Sequence, residues 1–177
     1  MSDPGGEAAP APRRPGPPGR VVALDVGSKR IGVAACDPDR IISRTAGVVR
    51  GEPVSEAIAA ISRIIRDEEA VLVVVGYPLT LRGEVGPQAQ RIEAFVEHLR
   101  AALPVPVVLY DERLTSSEAQ RLLEEDRPVS REERRKGVID QLAARLLLDD
   151  YLQEERLSAS RPREDADTFA GPERFDR

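Results

Sequence analysis

The chain of 177 residues is long enough for one domain with a substantial core, and its formal net charge is −5 at neutral pH. This acidic balance argues against capture of nucleic acid by overall charge, because that mode favours basic proteins. The single cysteine, Cys36, excludes an intrachain disulfide and predicts a reduced, cytoplasmic protein. No apolar run approaches the ~18 residues of a membrane span, and the N-terminus has no apolar signal core.

The two ends of the chain differ in composition from its middle. Residues 1–19 are rich in proline and glycine and have no apolar period, and residues 158–177 are polar apart from isolated aromatic side chains. We predict that both ends are disordered tails and that residues 20–157 form one folded domain.

The apolar runs in the first part of that domain predict three strands. Val21–Val26 is a short apolar run that ends at a Gly-Ser turn, and Ile31–Cys36 is a second run of small apolar residues. Arg40–Val49 alternates loosely and contains Ile, Thr and Val, which favours a third strand. The short connections between these segments are typical of an antiparallel meander.

The alternating helix and strand patterns of the next part predict two βα crossovers. Val54–Arg66 has apolar residues at helical spacing, and Ala70–Gly76 is apolar on both faces, as in a buried parallel strand. Pro87 suits the first turn of a second helix, and Val105–Tyr110 predicts a fifth strand. The resulting fold class is α/β: a mixed five-stranded sheet, three antiparallel strands followed by two βα crossovers, flanked by helices.

Two capping boxes predict further helices. Thr115–Glu118 opens a short helix to about Glu125, and Ser130–Glu133 opens a long helix to about Glu155. On the long helix one face carries Gly137, Asp140, Ala144, Leu147 and Tyr151. Asp140 is therefore expected to point toward the sheet, and the glycine one turn earlier allows close approach.

Three carboxylates occupy positions where a solvated charge is not expected. Asp25 ends the first strand, Glu112 follows the fifth strand, and Asp140 interrupts the apolar stripe of the last helix. A bare buried carboxylate is costly, so buried charges are paired or coordinate metal. Because active sites in open sheets lie at the strand ends, we predict that the three converge on a divalent-cation site, which points to chemistry on phosphate.

Four ordered motifs carry a resemblance to a known family. They are Asp25–Ala34 (DVGSKRIGVA), Val75–Thr80 (VGYPLT), Tyr110–Ser116 (YDERLTS) and Val138–Ala144 (VIDQLAA). These motifs are similar to those of the YqgF/RuvX family, described as Holliday-junction resolvases and as nucleases that mature the 5′ end of pre-16S rRNA. The resemblance spans nearly all of residues 20–157. It implies an RNase H-like fold, with Asp25, Glu112 and Asp140 as the catalytic, metal-binding carboxylates.

One motif departs from the family pattern. The family loop more often reads Gly-Leu-Pro-Leu-Asn, whereas this chain has Gly76–Thr80 with a tyrosine and a threonine at the changed positions. Thr80 keeps a hydroxyl group but loses an amide. We interpret Tyr77 as a residue that stacks on a base at the rim of the site, and Thr80 as a second substrate contact.

The carboxylates also have structural interpretations. Asp25 could cap the turn that follows it, a common use of a lone Asp at a strand end. Asp140 could be the buried ion-pair partner of Arg113 or Lys136. Asp111 and Glu112 are adjacent and point to opposite faces in extended backbone, so only one is expected to join Asp25; we predict Glu112.

Basic residues near the carboxylates are candidates for substrate binding. A dense cluster before Asp140 consists of Arg131, Arg134, Arg135 and Lys136. Glutamates lie among these residues, so a solvated helix face is the alternative. Lys29 and Arg30 could contact phosphate or be solvated, and Arg113 could neutralise substrate charge, orient Glu112 or form a structural ion pair.

These features predict a metal-dependent phosphodiesterase. Two Mg²⁺ or Mn²⁺ ions bridged by the carboxylates would activate a water and stabilise the leaving oxygen. The expected substrate is nucleic acid, with precursor rRNA favoured over branched DNA, in a monomer or weak homodimer that binds no membrane. The rivals are an actin-like ATPase or sugar kinase, which needs two lobes, and a non-catalytic nucleic-acid or transcription accessory protein.

Overall fold

The computed structural model describes residues 17–79, 85–111 and 137–160. The elements within them are β1 (Val21–Val26), β2 (Arg30–Cys36), β3 (Ser43–Arg50), α1 (Val54–Asp67), β4 (Leu72–Tyr77), α2 (Pro87–Ala102), β5 (Val107–Asp111) and α3 (Val138–Ser160). The short helix predicted from Thr115 and the predicted start of the long helix at Ser130 lie outside the described residues.

Five strands form one sheet in the order β3-β2-β1-β4-β5. β1 pairs antiparallel with β2, and β2 pairs antiparallel with β3. β4 lies parallel to β1, and β5 lies parallel to β4. The prediction of a mixed sheet, built from an antiparallel meander and two βα crossovers, is confirmed. The carboxyl ends of β1, β4 and β5 consequently share one edge of the sheet.

The third strand begins later than predicted because Asp37 organises the turn before it. The Asp37 carboxylate accepts hydrogen bonds from the backbone N–H groups of Ile41 at 2.7 Å and Ile42 at 2.6 Å. Arg40 has a φ of 56°, in the left-handed region. Residues from Arg40 therefore belong to the turn, and β3 starts at Ser43.

The two faces of the sheet pack against different helices. Val22 and Leu24 of β1 belong to one apolar cluster with residues of α1 and α2, such as Ile61 and Leu99. The alternate β1 residues, among them Ala23, belong to a second cluster with residues of α3. We call these the α1–α2 face and the α3 face. This alternation decides on which side each functional side chain lies.

Arg40 contacts residues near both ends of the described part of the chain. Arg40 donates hydrogen bonds from Nε to the Gly19 carbonyl at 2.8 Å and from Nη2 to the Pro17 carbonyl, and Nη1 contacts Glu155 at 2.5 Å. α3 continues to Ser160. Residues 17–19 and 158–160 belong to the described part of the chain, and the rest of both predicted tails lies outside it. None of the described helices is long and apolar enough to cross a membrane.

Candidate metal centre

Asp25 lies at the end of the central strand. Its direct partner across the β1–β2 pair is Gly32. Val21 and Ala23 pack in the α3 cluster, so strand alternation directs Asp25 to the same α3 face. The residue is partly buried there. The sheet therefore holds this carboxylate on rigid extended backbone, beside the first turn of α3.

The first turn of α3 packs directly on Gly32. A Cβ atom at Gly32 would lie 1.8 Å from the carbonyl oxygen of Asp140 and 2.4 Å from its carbonyl carbon. Only a residue without a side chain allows this contact of backbone with backbone. Because Gly32 is also the cross-strand partner of Asp25, the contact brings Asp140 and Asp25 to the same part of the α3 face.

A second glycine shapes the start of α3. Gly137 has a φ of 70°, and a Cβ atom there would lie 2.8 Å from Val48 Cγ2 and 3.3 Å from Asp140 Oδ2. The Gly137 carbonyl accepts a hydrogen bond from the Gln141 N–H at 3.1 Å, which closes the first turn. Asp140 thus lies in the first turn, where the helix dipole favours an acidic side chain.

The prediction of one helix running from Ser130 through Gly137 is wrong. The left-handed backbone of Gly137 interrupts a right-handed helix, so α3 begins at Val138. The predicted inward face of this helix is confirmed beyond that point, because Ala144, Leu147 and Tyr151 are buried against the sheet.

Asp140 forms an ion pair that the sequence analysis missed. Arg30 Nε donates to Asp140 Oδ2 at 2.8 Å. The predicted alternatives, Arg113 and Lys136, lie outside the described residues. A signal for the observed partner was present, because Arg30 and Gly32 are two apart on β2 and therefore share the α3 face.

The predicted substrate residues that the structure describes are divided between the two faces. Lys29 is exposed in the β1–β2 turn, which the Gly27 N–H closes by donating to the Arg30 carbonyl at 2.9 Å. Tyr77 packs against the α1–α2 cluster, and its hydroxyl donates to Glu93 Oε1 at 2.5 Å. This hydrogen bond, together with burial and the negative charge of Glu93, raises the pKa of Tyr77 to about 12.

Comparison with known proteins identifies the family. The family model described as "RuvX: Holliday junction resolvase" matches residues 19–154. The chain belongs to the RuvX family. The resemblance read from the four sequence motifs is thereby confirmed, and the sheet order agrees with the RNase H-like fold that it implied.

Curated relatives of this RuvX-family chain carry one shared name. A protein of Roseiflexus sp. (strain RS-1), named "Putative pre-16S rRNA nuclease", is 43% identical over 139 residues, which are 78% of this chain and 97% of the relative. A protein of Streptomyces coelicolor with the same name is 39% identical over 165 residues, 93% of this chain and 96% of the relative. Among solved structures, Thermus thermophilus RuvC bound to a Holliday junction aligns with a TM-score of 0.48 and 17% identity, covering 76% and 95% of the two chains.

The other predicted site residues of this RuvX-family chain belong to segments that the structure does not describe. Outside the described residues lie Thr80, Glu112, Arg113, Arg131, Arg134, Arg135 and Lys136. Within residues 17–79, 85–111 and 137–160 no group of three His, Cys, Asp or Glu side chains could hold a metal ion. Asp25 and Asp140 are the two members of the predicted trio that belong to this part of the chain.

The end of β5 bears on the choice between the two adjacent acidic residues. Tyr110 is buried in the α3 cluster, where its ring meets that of Tyr151 edge to face, with centroids 5.6 Å apart. Asp111 follows Tyr110 in the strand and pairs with Tyr77 of β4. Strand alternation therefore directs Asp111 to the α1–α2 face, away from Asp25.

Proposed function

We propose that this protein is a divalent-metal-dependent nuclease that hydrolyses phosphodiester bonds during maturation of the 5′ end of pre-16S rRNA. The observation that carries this proposal is the contact of the α3 start with Gly32, which brings the carboxylates of Asp25 and Asp140 to one face at the sheet edge. The shared name of the relatives supports the choice of substrate.

The residues on the α3 face fit a divalent cation. Carboxylate oxygens are the ligands that Mg²⁺ and Mn²⁺ prefer. Glu112, which directly follows β5 in the sequence, completes the proposed set. Three carboxylates match the donor set of a two-ion site, and Asp25, Glu112 and Asp140 would hold the metal.

The chain's own groups define the rest of the mechanism. When bound, divalent cations would lower the pKa of the attacking water and stabilise the leaving oxygen. Asp25 is held by the central strand and Asp140 by the first turn of α3, so both carboxylates are oriented before substrate arrives. The Arg30 guanidinium offsets part of their charge, and Lys29 at the exposed turn is placed to bind a phosphate.

We assign substrate binding to further residues named in the sequence. Arg113, Arg134, Arg135 and Lys136 supply the local positive charge that an acidic chain needs to hold a polyanion, and Thr80 is a further contact. Tyr77 would contact the substrate from the α1–α2 face. The protein acts in the cytoplasm, as its single cysteine indicates. It is a monomer or a weak homodimer.

Branched DNA is the second candidate substrate. The description of the matching family model names Holliday junction resolution, which favours this alternative. A resolvase must cut two strands of a junction and therefore needs a dimer, whereas trimming of one rRNA end does not.

A direct comparison of substrates tests the proposal. The full chain is incubated with a precursor of the 16S rRNA 5′ region and with a four-way DNA junction, each with Mg²⁺, with Mn²⁺ and with a chelator. We expect metal-dependent cleavage of the RNA. Cleavage of the junction alone would assign the second function, and no cleavage of either would favour a non-catalytic accessory role.

A further inference from the structure

A cavity of about 430 Å³ lies on the α1–α2 face, opposite the proposed metal site. It lies between the end of β1, the β1–β2 turn, the segment before α1, and one side of α2. Its volume is within the range of about 300–1,000 Å³ that small-molecule pockets occupy. The site residues discussed so far do not line it.

The floor of this cavity is apolar and its rim is polar. Ile31, Ile92 and Phe95 are 1%, 3% and 8% exposed and form the floor. Exposed side chains at the rim are Ser28, Glu52, Gln88, Arg91 and His98. A flat, largely apolar ligand with hydrogen-bonding edges and an attached anion fits such a surface.

The rim groups match the edges of a nucleotide. His98 donates from Nδ1 to the Ala94 carbonyl at 2.7 Å, so Nε2 of the neutral ring is an acceptor. Glu52 accepts hydrogen bonds, as from an exocyclic amine, and Gln88 both donates and accepts. Arg91 supplies a guanidinium for a phosphate.

Two residues that line the cavity directly follow the proposed metal ligand Asp25 in the sequence. Val26 and Gly27 line it and directly follow Asp25. Val26 packs on the α1–α2 cluster, whereas Asp25 lies on the α3 face. A polynucleotide crossing the β1–β2 turn, past the exposed Lys29, would therefore meet both surfaces.

We infer that this cavity is a subsite for one unpaired nucleobase of the substrate strand, across the β1–β2 turn from the phosphodiester at the carboxylates. The inference rests on the proposed nuclease function and adds a specificity element to it. An unpaired base inserted here would fix the position of the strand along the metal site. The protein would then favour single-stranded flanks over continuous duplex, because a paired base cannot enter.

Filling the cavity tests the inference. Ala94 lines it and is exposed on α2, so Ala94→Phe blocks the space without disturbing the core. Ala101→Phe adds the same ring to an exposed position of α2 outside the cavity. Both full-length variants and the wild type are titrated with adenosine and cytidine 5′-monophosphates in the presence of a chelator. The same proteins are then assayed on a single-stranded RNA oligonucleotide with Mg²⁺.

We expect a mononucleotide to bind the wild type and Ala101→Phe, and Ala94→Phe to lose that binding. Ala94→Phe should also raise the KM for the oligonucleotide about tenfold, since a base contact is worth about 1–3 kcal/mol. Equal mononucleotide binding by Ala94→Phe and wild type, or no binding by wild type, would overturn the subsite. So would an unchanged KM despite lost binding, since the pocket would then bind free nucleotide only.

Two further outcomes separate this inference from the proposed function. If wild type binds the mononucleotide but cleaves no RNA, the nuclease proposal fails and the assignment of the cavity to a substrate strand fails with it. If sedimentation shows a dimer that Ala94→Phe abolishes, the cavity accommodates a second copy of the chain and the nucleobase assignment is overturned.

Discussion

Arg30 illustrates how one residue can matter for a site without stabilising the fold. Its guanidinium pairs with Asp140 at 2.8 Å, yet its side chain is 40% exposed. Exposed ion pairs contribute at most about 1 kcal/mol, because water screens the charges and two side chains lose freedom. The pair therefore acts on the charge and orientation of Asp140 rather than on the stability of the domain.

Replacing Arg30 by Gln tests this distinction. We expect Arg30→Gln to change the free energy of unfolding by less than about 1 kcal/mol in urea titrations. Arg44, which pairs with Glu68 in another exposed contact, offers a matched control in Arg44→Gln. A loss well above that of the control would show that the Arg30 pair is a structural element of the α3 contact.

Tyr77 provides a prediction about pH. Its hydrogen bond to Glu93 raises the pKa of Tyr77 to about 12, above the ordinary value of 10. A raised pKa in the folded state means that the bond stabilises the fold below pH 10 and that this contribution is lost as pH rises toward 12.

Ultraviolet titration measures the tyrosinate of each variant. Subtracting the titration curve of Tyr77→Phe from that of the wild type should leave one ionisation near pH 12. Glu93→Gln should lower the pKa of that ionisation. If the difference titrates near pH 10 in wild type, the Tyr77–Glu93 bond is not formed in solution, and Tyr77 is free for the stacking role predicted for it.

At the scale of elements, the packing of α3 on β2 depends on a single glycine. A Cβ at Gly32 would lie 1.8 Å from the Asp140 carbonyl oxygen, and backbone on both sides cannot yield without moving the helix. Gly86, before α2, has an ordinary φ of −83° and nothing within 4 Å of an added Cβ.

Alanine at the two glycines should therefore have opposite consequences. We expect Gly32→Ala to destabilise the protein by about 1–3 kcal/mol or more, as overpacking does, and to reduce cleavage by displacing Asp140. Gly86→Ala should be neutral or slightly stabilising, since it restricts the unfolded chain. Equal unfolding free energies for the two variants would contradict the described packing of α3 on the sheet.

The elements were largely predictable from sequence because their apolar patterns are local. β1 begins and ends as predicted, at Val21 and Val26. The late start of β3 depends on Asp37 bonding backbone several residues away. The break at Gly137 depends on a left-handed φ that a capping pattern upstream does not reveal.

The site was predictable only in part, for the same reason. Asp25 and Asp140 stand out because a charge interrupts an apolar pattern, but the Arg30–Asp140 pair joins residues 110 positions apart. The cavity beside Phe95 was not predictable at all, because its volume depends on how far α2 lies from the end of β1. His98 belongs to none of the four sequence motifs, yet the structure places it at the rim of that cavity.

At the scale of the whole molecule, Arg40 contacts residues near both ends of the described part of the chain. The Arg40 guanidinium donates hydrogen bonds to the carbonyls of Pro17 and Gly19 and to the carboxylate of Glu155, near the end of α3. Cutting at residue 20 would remove those carbonyl partners. We therefore expect a chain shortened to residues 17–160 to melt at the same temperature as the full chain.

A chain shortened to residues 20–157 is the natural comparison. It should melt below the 17–160 chain in calorimetry, since Arg40 would lose two of its three partners. Identical melting of all three chains would show that these contacts contribute nothing. A lower melting temperature for residues 17–160 than for the full chain would place further folded structure outside that range.

We propose that Asp25, Glu112 and Asp140 hold the metal for hydrolysis of precursor rRNA. The most direct measurement is the rate of Mg²⁺-dependent cleavage of a pre-16S rRNA 5′ fragment by wild type, Asp25→Asn, Glu112→Gln and Asp140→Asn. Asp39→Asn, in the exposed β2–β3 turn, is the matched control. We expect each of the three site variants to lose activity by orders of magnitude while remaining folded, and the control to cleave like wild type. Near wild-type cleavage by Asp25→Asn or Asp140→Asn would contradict the account.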